Sequence, residues 1–247
     1  MLKDKVAVVT GGTRGIGNAV VRSFLENGAQ VILFGSREET ATKAVDAIKK
    51  DNPDAKIEGA WPNLADFESV AKEIKRIEEK YGRIDILVNN AGVTDSTSVY
   101  EYDAKKFSDI LDVNVKGLFN AILAVIPYMK KQGGGSIINT SSMVTKFGQT
   151  LGVAYPTSKF AVNGLTVSLA RELGPDKIRV NAVAPGITNT DMVKNLPKEM
   201  IDPLINMIPL RRIGEPEDLA KAFVFLAGDQ ADFISGEVLY VDGAMIV

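Results

Sequence analysis

An alternation that runs the whole length of the chain constrains it most: short apolar runs rich in β-branched residues, separated by segments with helical spacing. Lys5–Thr10 (KVAVVT), Gln30–Phe34 (QVILF), Lys56–Trp61, Ile84–Val88 (IDILV), Ser136–Thr140 (SIINT), Ile178–Val183 and Glu237–Val241 (EVLYV) read as strands. Asn18–Asn27, Glu38–Lys50, Phe67–Tyr81, Ala104–Gln132, Val153–Leu173 and Glu215–Gly228 read as the helices between and after them. Continuously apolar strands are buried on both faces. Alternating with helices, they specify an α/β fold: a doubly wound parallel sheet of about seven strands with helices on both faces. No linker, low-complexity tract or internal repeat divides residues 1–247, so a single domain is expected. One stretch breaks the rhythm. Gly186–Arg212 follows the sixth strand and holds three prolines. A loop of that length in a compact domain usually carries function, and the carboxyl ends of such strands are where ligands bind. Residues 186–212 are therefore read as a substrate lid.

Composition removes several chemistries. There are no cysteines and no histidines. That excludes disulfides, thiolate nucleophiles, Ser-His-Asp triads and thiolate- or His-ligated metal sites, and no metal is expected. Acid–base work near neutral pH must then fall to another group with a shifted pKa, or to a cofactor. The net charge of −2 with mixed signs gives no basic stripe for nucleic acid. No apolar run reaches the roughly 18 residues that span a bilayer, and the amino terminus leads directly into a strand. A cytoplasmic protein with no membrane partner is expected.

Between the first strand and first helix lies Thr10–Gly17, TGGTRGIG. Glycine allows a tight turn and a close backbone approach, and the helix N-terminus behind it offers free N–H groups and a positive dipole end. A pyrophosphate fits there, so Gly11, Thr13, Arg14, Gly15, Ile16 and Gly17 are read as dinucleotide-binding. The spacing is Gly-x-x-x-Gly-x-Gly. In this form the motif resembles that of the short-chain dehydrogenase/reductase family, which implies a Rossmann-type fold.

The end of the second strand selects the nucleotide. NAD enzymes usually carry an acid about 20 residues beyond the glycines. Here Ser36 and Arg37 stand there instead, with Arg14 in the glycine loop. Two guanidiniums suit a 2′-phosphate, which favours NADP(H) over NAD(H). Further positions follow the resemblance. Asn63 stands where the family usually has an Asp beside the adenine, and is followed by Leu64. Asn89-Asn90-Ala91-Gly92 matches the family's NNAG motif, with Asn90, Ala91 and Gly92 beside the cofactor and part of the motif structural. Pro185 and Gly186, with Thr188 and Thr190 after them, match the stretch beside the nicotinamide carboxamide.

The chemical centre is AYPTSKF, Ala154–Phe160. Tyr155 and Lys159 stand four residues apart, on one helix face. An ammonium near a phenol lowers a pKa that is ordinarily about 10. Ser142 lies thirteen residues before Tyr155, and Asn114 lies in the long preceding helix. Ser141 competes with Ser142; the family spacing selects Ser142. The resemblance implies an Asn114, Ser142, Tyr155, Lys159 set. Tyr155 exchanges a proton with the substrate oxygen, Ser142 polarises that oxygen, Lys159 holds the nicotinamide ribose and lowers the phenol, and Asn114 positions a water. Tyr155 and Lys159 thereby also count as cofactor-binding. The reaction implied is interconversion of a secondary alcohol and a ketone.

For the substrate, Phe147-Gly148, Gly152–Lys159, GGTRGIG and Pro62-Asn63-Leu64 look like bacterial bile-acid hydroxysteroid dehydrogenases. Thr94–Tyr102 (TDSTSVYEY) lacks the Arg-Asp pair and Leu/Met-rich run usual in 3-oxoacyl-carrier-protein reductases. Met192, Leu196, Met200, Leu204, Ile205, Met207 and Ile208 give the lid an apolar, adaptable lining. A hydroxysteroid or another bulky cyclic ketone is therefore favoured. The alternative is the acyl-carrier-protein reductase, for which Lys130, Lys131 and Lys177 would have to form a patch for an acidic carrier. A remote alternative is a non-catalytic NADP-binding regulator. The family usually assembles as a homotetramer or homodimer through the two long helices.

Overall fold

The computed structural model describes residues 1–190, 203 and 205–246. Met192, Leu196, Met200 and Leu204 of the lid reading lie outside the described residues. The strands are β1 (Val6–Thr10), β2 (Gln30–Phe34), β3 (Ile57–Ala60), β4 (Ile86–Asn89), β5 (Gly135–Thr140), β6 (Ile178–Pro185) and β7 (Val238–Val241). They form one seven-stranded sheet in the order β3-β2-β1-β4-β5-β6-β7, every pair parallel. The order reverses between β1 and β4, which opens a crevice at the carboxyl ends of the strands. This is a Rossmann-type α/β fold.

The helices are α1 (Gly15–Glu26), α2 (Glu38–Asp51), α3 (Phe67–Tyr81), α4 (Ala104–Leu111), α5 (Leu118–Gln132), the single turn α6 (Val144–Phe147), α7 (Ala154–Leu173) and α8 (Pro216–Ala227). Alternate strand residues divide between two cores. Ala7, Val9, Val31 and Leu33 pack on one face with Phe24 of α1, Ile48 of α2 and Phe223 of α8. Val6, Val8, Ile32 and Phe34 pack on the other with Ile74 of α3, Val125 of α5 and Val162 of α7. The strict two-residue period, with both faces apolar, is the physical reason the strands read as unbroken apolar runs.

Several sequence-predicted boundaries shift, two of them with a visible physical cause. β4 starts at Ile86 rather than Ile84, because the Asp85 carboxylate turns to accept the Val6 N–H at 2.8 Å and pairs with Arg83 at 2.6 Å. The segment Ala104–Gln132 is not one α-helix: a π-helical turn, Asp112–Gly117, separates α4 from α5. The whole run is also long and apolar enough to cross a membrane by length and composition alone, contrary to the expectation from apolar runs; half of that apolar window is buried inside the protein.

Candidate active site

The glycine loop is defined by what it excludes. A Cβ on Gly17 would stand 2.2 Å from the Gly11 carbonyl oxygen and 2.4 Å from Nδ2 of Asn90, so only hydrogen fits. The Gly12 N–H is held by the Phe34 carbonyl at the end of β2, 3.2 Å away. The Arg14 N-cap of α1 has no side-chain cap, and no acid stands in the first turn. By contrast α3 is capped by Asp66, α4 by Asp103, and α8 by a Glu215–Asp218 capping box. Among the described residues no acidic side chain caps the first N–H groups of α1, as a phosphate cradle requires. Across from Gly15 stands Thr190, its methyl 3.6 Å from where a Cβ on that glycine would lie. The residues present fit a dinucleotide.

The flanking positions fall into two kinds. Ser36 and Arg37 are exposed at the end of β2. They follow Gly35, whose Cβ position lies 3.0 Å from the Thr13 methyl, which puts them beside the glycine loop. Others are committed to the frame. Asn63 Oδ1 accepts the Ala65 N–H at 3.1 Å, a local turn, which leaves its amide hydrogens and one lone pair for a base. The Leu64 carbonyl is held by Asn120 at 2.8 Å. Asn90 donates to the Gly11 carbonyl at 3.1 Å, and the Asn90 and Ala91 N–H groups both reach the Thr10 hydroxyl. Gly92 lies beside Asn114 and Lys159, with 3.2 Å from its Cβ position to Asn114 Oδ1 and 3.8 Å to Lys159 Nζ. The Pro185 carbonyl accepts the Met143 N–H, Gly186 abuts Asp242, and the Thr188 hydroxyl donates to the Gly186 carbonyl.

Four side chains converge where β4 and β5 end and α7 begins. Tyr155 is partly buried, with its hydroxyl beside that of Ser142, which is itself 7% exposed. Ser141 turns the other way, donating to Asn163 on α7 at 2.5 Å. Lys159 is buried, with Nζ donating to the Thr140 carbonyl at 2.7 Å and lying 5.7 Å from the Tyr155 ring centroid. Asn114 exchanges two hydrogen bonds with the Val93 backbone, both 2.8 Å, and donates to Ser158 at 3.0 Å. Both amide hydrogens are used and one lone pair on Oδ1 remains. The π-helical turn brings Asn114 to this position, and such turns cluster at functional sites.

Burial pushes the Tyr155 phenol up, against the downward pull of the Ser142 hydroxyl. Burial also lowers the Lys159 ammonium to about 8. A protonated phenol is a donor. The arrangement suits delivery of a proton to an oxygen lodged between Tyr155 and Ser142.

Sequence reasoning overlooked Ser158, Thr140 and Thr10, which hold Asn114, Lys159 and the NNAG backbone. Their one legible signal is position: each ends a strand or lies within the tyrosine motif. Of the described lid residues, Ile208 is buried and Met207 is exposed. The Lys177 carbonyl accepts the Gly135 N–H and the Lys130 carbonyl the Gly133 N–H, so both lie towards the amino end of β5, opposite Tyr155. Lys130 is paired with Asp176 and Lys131 with Glu78. They form no patch beside the site, contrary to what the carrier-protein reading needs.

Residues 5–201 match the model of the short chain dehydrogenase family. The chain is 60% identical over 244 residues to a 3alpha-hydroxysteroid dehydrogenase of Mediterraneibacter gnavus, covering 99% of this chain and 98% of that protein. It is 37% identical over 246 residues to a 3-oxoacyl-[acyl-carrier-protein] reductase of Thermotoga maritima, covering 100% and 99%. A solved short-chain type dehydrogenase/reductase from Mycobacterium ulcerans superposes with a TM-score of 0.93 at 28% identity, covering 99% of this chain and 90% of that one.

Proposed function

The chain belongs to the short chain dehydrogenase family and is an oxidoreductase of the alcohol–ketone couple; on that premise we propose that it interconverts a hydroxysteroid and its ketone with NADP(H), with Tyr155 as general acid and base. The observation that carries the chemistry is the partly buried Tyr155 beside buried Ser142 and Lys159. The nicotinamide, when bound, supplies or accepts the hydride. The α1 N-terminus and glycine loop hold its phosphates, Arg14 and Arg37 its 2′-phosphate, and Lys159 its ribose. Tyr155 Oη gives its proton to the carbonyl oxygen during reduction and recovers it during oxidation. Ser142 Oγ donates to the same oxygen and fixes its position. Asn114 holds Val93 and Ser158, and its remaining lone pair is available to a water serving Lys159.

The steroid reading draws on the 60% identical relative and on an apolar surround. Val93, Phe147, Leu151, Val153, Met207 and Leu210 are exposed apolar side chains on segments that adjoin the centre. The 3α position named for the relative is the first to test. The acyl-carrier-protein alternative retains whole-chain similarity, but Lys130 and Lys131, two of the three lysines it would use, are paired with Asp176 and Glu78. A homotetramer or homodimer and a cytoplasmic location belong to the same proposal; exposed Leu123 on α5 and Phe160 and Val167 on α7 support assembly through those helices. The test is NADPH oxidation with 3-keto steroids and with acetoacetyl thioesters, side by side. Steroid turnover with an idle thioester supports the proposal, and the reverse result removes it.

A further inference from the structure

We infer that Asp95 is a positioning residue that sets the wall of the substrate cleft, by fastening the loop that leaves β4 to the segment that precedes the Tyr155 helix; this rests on the ketone-reducing reading of that site. Asp95 is 8% exposed, in the loop that leaves β4. Its carboxylate accepts the Thr97 N–H at 3.1 Å and the Thr97 hydroxyl at 2.8 Å, and pairs with Lys106 of α4 at 3.0 Å. Tyr102 lies beside the same carboxylate, and Oδ2 of Asp95 and the Tyr102 hydroxyl are buried without a well-aligned partner. Burial and then the neighbouring carboxylate push that phenol up to about 12, so it remains a neutral donor facing a fixed anion.

The loop so fastened reaches the catalytic helix by backbone contacts. The Thr97 carbonyl accepts the Gly152 N–H at 2.8 Å, and the Gly152 carbonyl accepts the Tyr155 N–H at 3.1 Å. The Asp95 carbonyl accepts Gln149 Nε2 at 3.0 Å. Gly152 has φ +74, and a Cβ there would stand 1.9 Å from the Asp95 carbonyl oxygen. On the other flank Val93 is bonded to Asn114. The exposed side chains of Val93, Leu151 and Val153 therefore ride on segments whose spacing the Asp95 cluster determines.

The test compares wild type with Asp95→Asn, which keeps shape and removes the charge, and with Lys106→Met. Lys106 is 43% exposed at its side chain, so in Asp95→Asn it can turn to solvent and the fold survives. KM and kcat are measured with NADPH for a 3-keto steroid and for cyclohexanone. The expected result is a KM for the steroid raised roughly tenfold in Asp95→Asn, as misplacement of a substrate wall implies, with NADPH affinity and cyclohexanone kinetics retained. Equal loss on both ketones, or no change on either, overturns the inference. A wild-type enzyme idle on both ketones overturns the steroid reading instead. In that case amide exchange decides: faster exchange at Gly152 and Tyr155 in Asp95→Asn supports the positioning role, and unchanged exchange overturns it.

Discussion

The glycine loop and the Tyr155–Lys159 turn lie at the same end of the sheet and are built in opposite ways. The loop works by absence: hydrogen in place of a side chain at Gly17, and a helix start with no cap. The turn works by burial of groups that would rather be in water, with a lysine lowered to about 8 and a phenol pushed upward. The first is a steric device and tolerates no added atom. The second is an electrostatic device and stores unfavourable free energy in its own lysine. Binding and chemistry therefore fail in different ways when the two regions are altered.

The largest expected effect falls on the turn. Tyr155→Phe removes one hydroxyl and should lower kcat for ketone reduction roughly a hundredfold to ten-thousandfold, the usual value of general acid catalysis. NADPH affinity by fluorescence titration should be retained; if it collapsed with kcat, the division between the regions would be lost. Lys159→Met sharpens the contrast through stability. A displacement from 10.5 to about 8 corresponds to about 3 kcal/mol of opposition to the buried charge. Below pH 8 both folded and unfolded states hold the proton and the folded state bears that cost in full. As pH rises from 8 towards 10.5 the folded protein releases the proton and the cost fades. Lys159→Met should therefore be inactive yet more stable than wild type at pH 7, with the gap closing by pH 10.5 in urea melts.

Gly17→Ala tests the loop. Its methyl meets the Gly11 carbonyl, so urea melts should show about 1–3 kcal/mol lost through overpacking. NADPH binding should weaken, while the pH dependence of any remaining turnover stays that of wild type. The smallest effect on total activity is expected from Arg37→Asp. It should shift the NADPH/NADH ratio of kcat/KM towards NADH by roughly tenfold to a hundredfold, the worth of a charge-assisted hydrogen bond of about 1.5–3 kcal/mol. An unchanged ratio would remove the 2′-phosphate reading.

The strand set, the helix set and the TGGTRGIG turn were legible because they depend on local periodicity and on glycine spacing. The choice of Ser142 over Ser141 needed the family spacing, and the fold supplies a physical counterpart: Ser141 is occupied by Asn163, while Ser142 faces the phenol. The π-helical turn at Asn114 was not legible. Nothing in DVNVKG departs from helical spacing; the insertion follows from bonds to Val93 and Ser158, which are remote in sequence. Within TDSTSVYEY, Asp95 shows at most a local turn with Thr97; its role was not legible because Lys106 and Gly152 reach it only after folding.

By itself the sequence determined the parallel sheet, the nucleotide end of it, and the residue types available for acid–base work, since without histidine or cysteine the phenol and ammonium are what remain. Tertiary structure alone decided their state. Desolvation depends on what surrounds a group on all sides. Spacing of four residues implied a lysine that acidifies a tyrosine, but the packed site buries both, raises the phenol and lowers the ammonium.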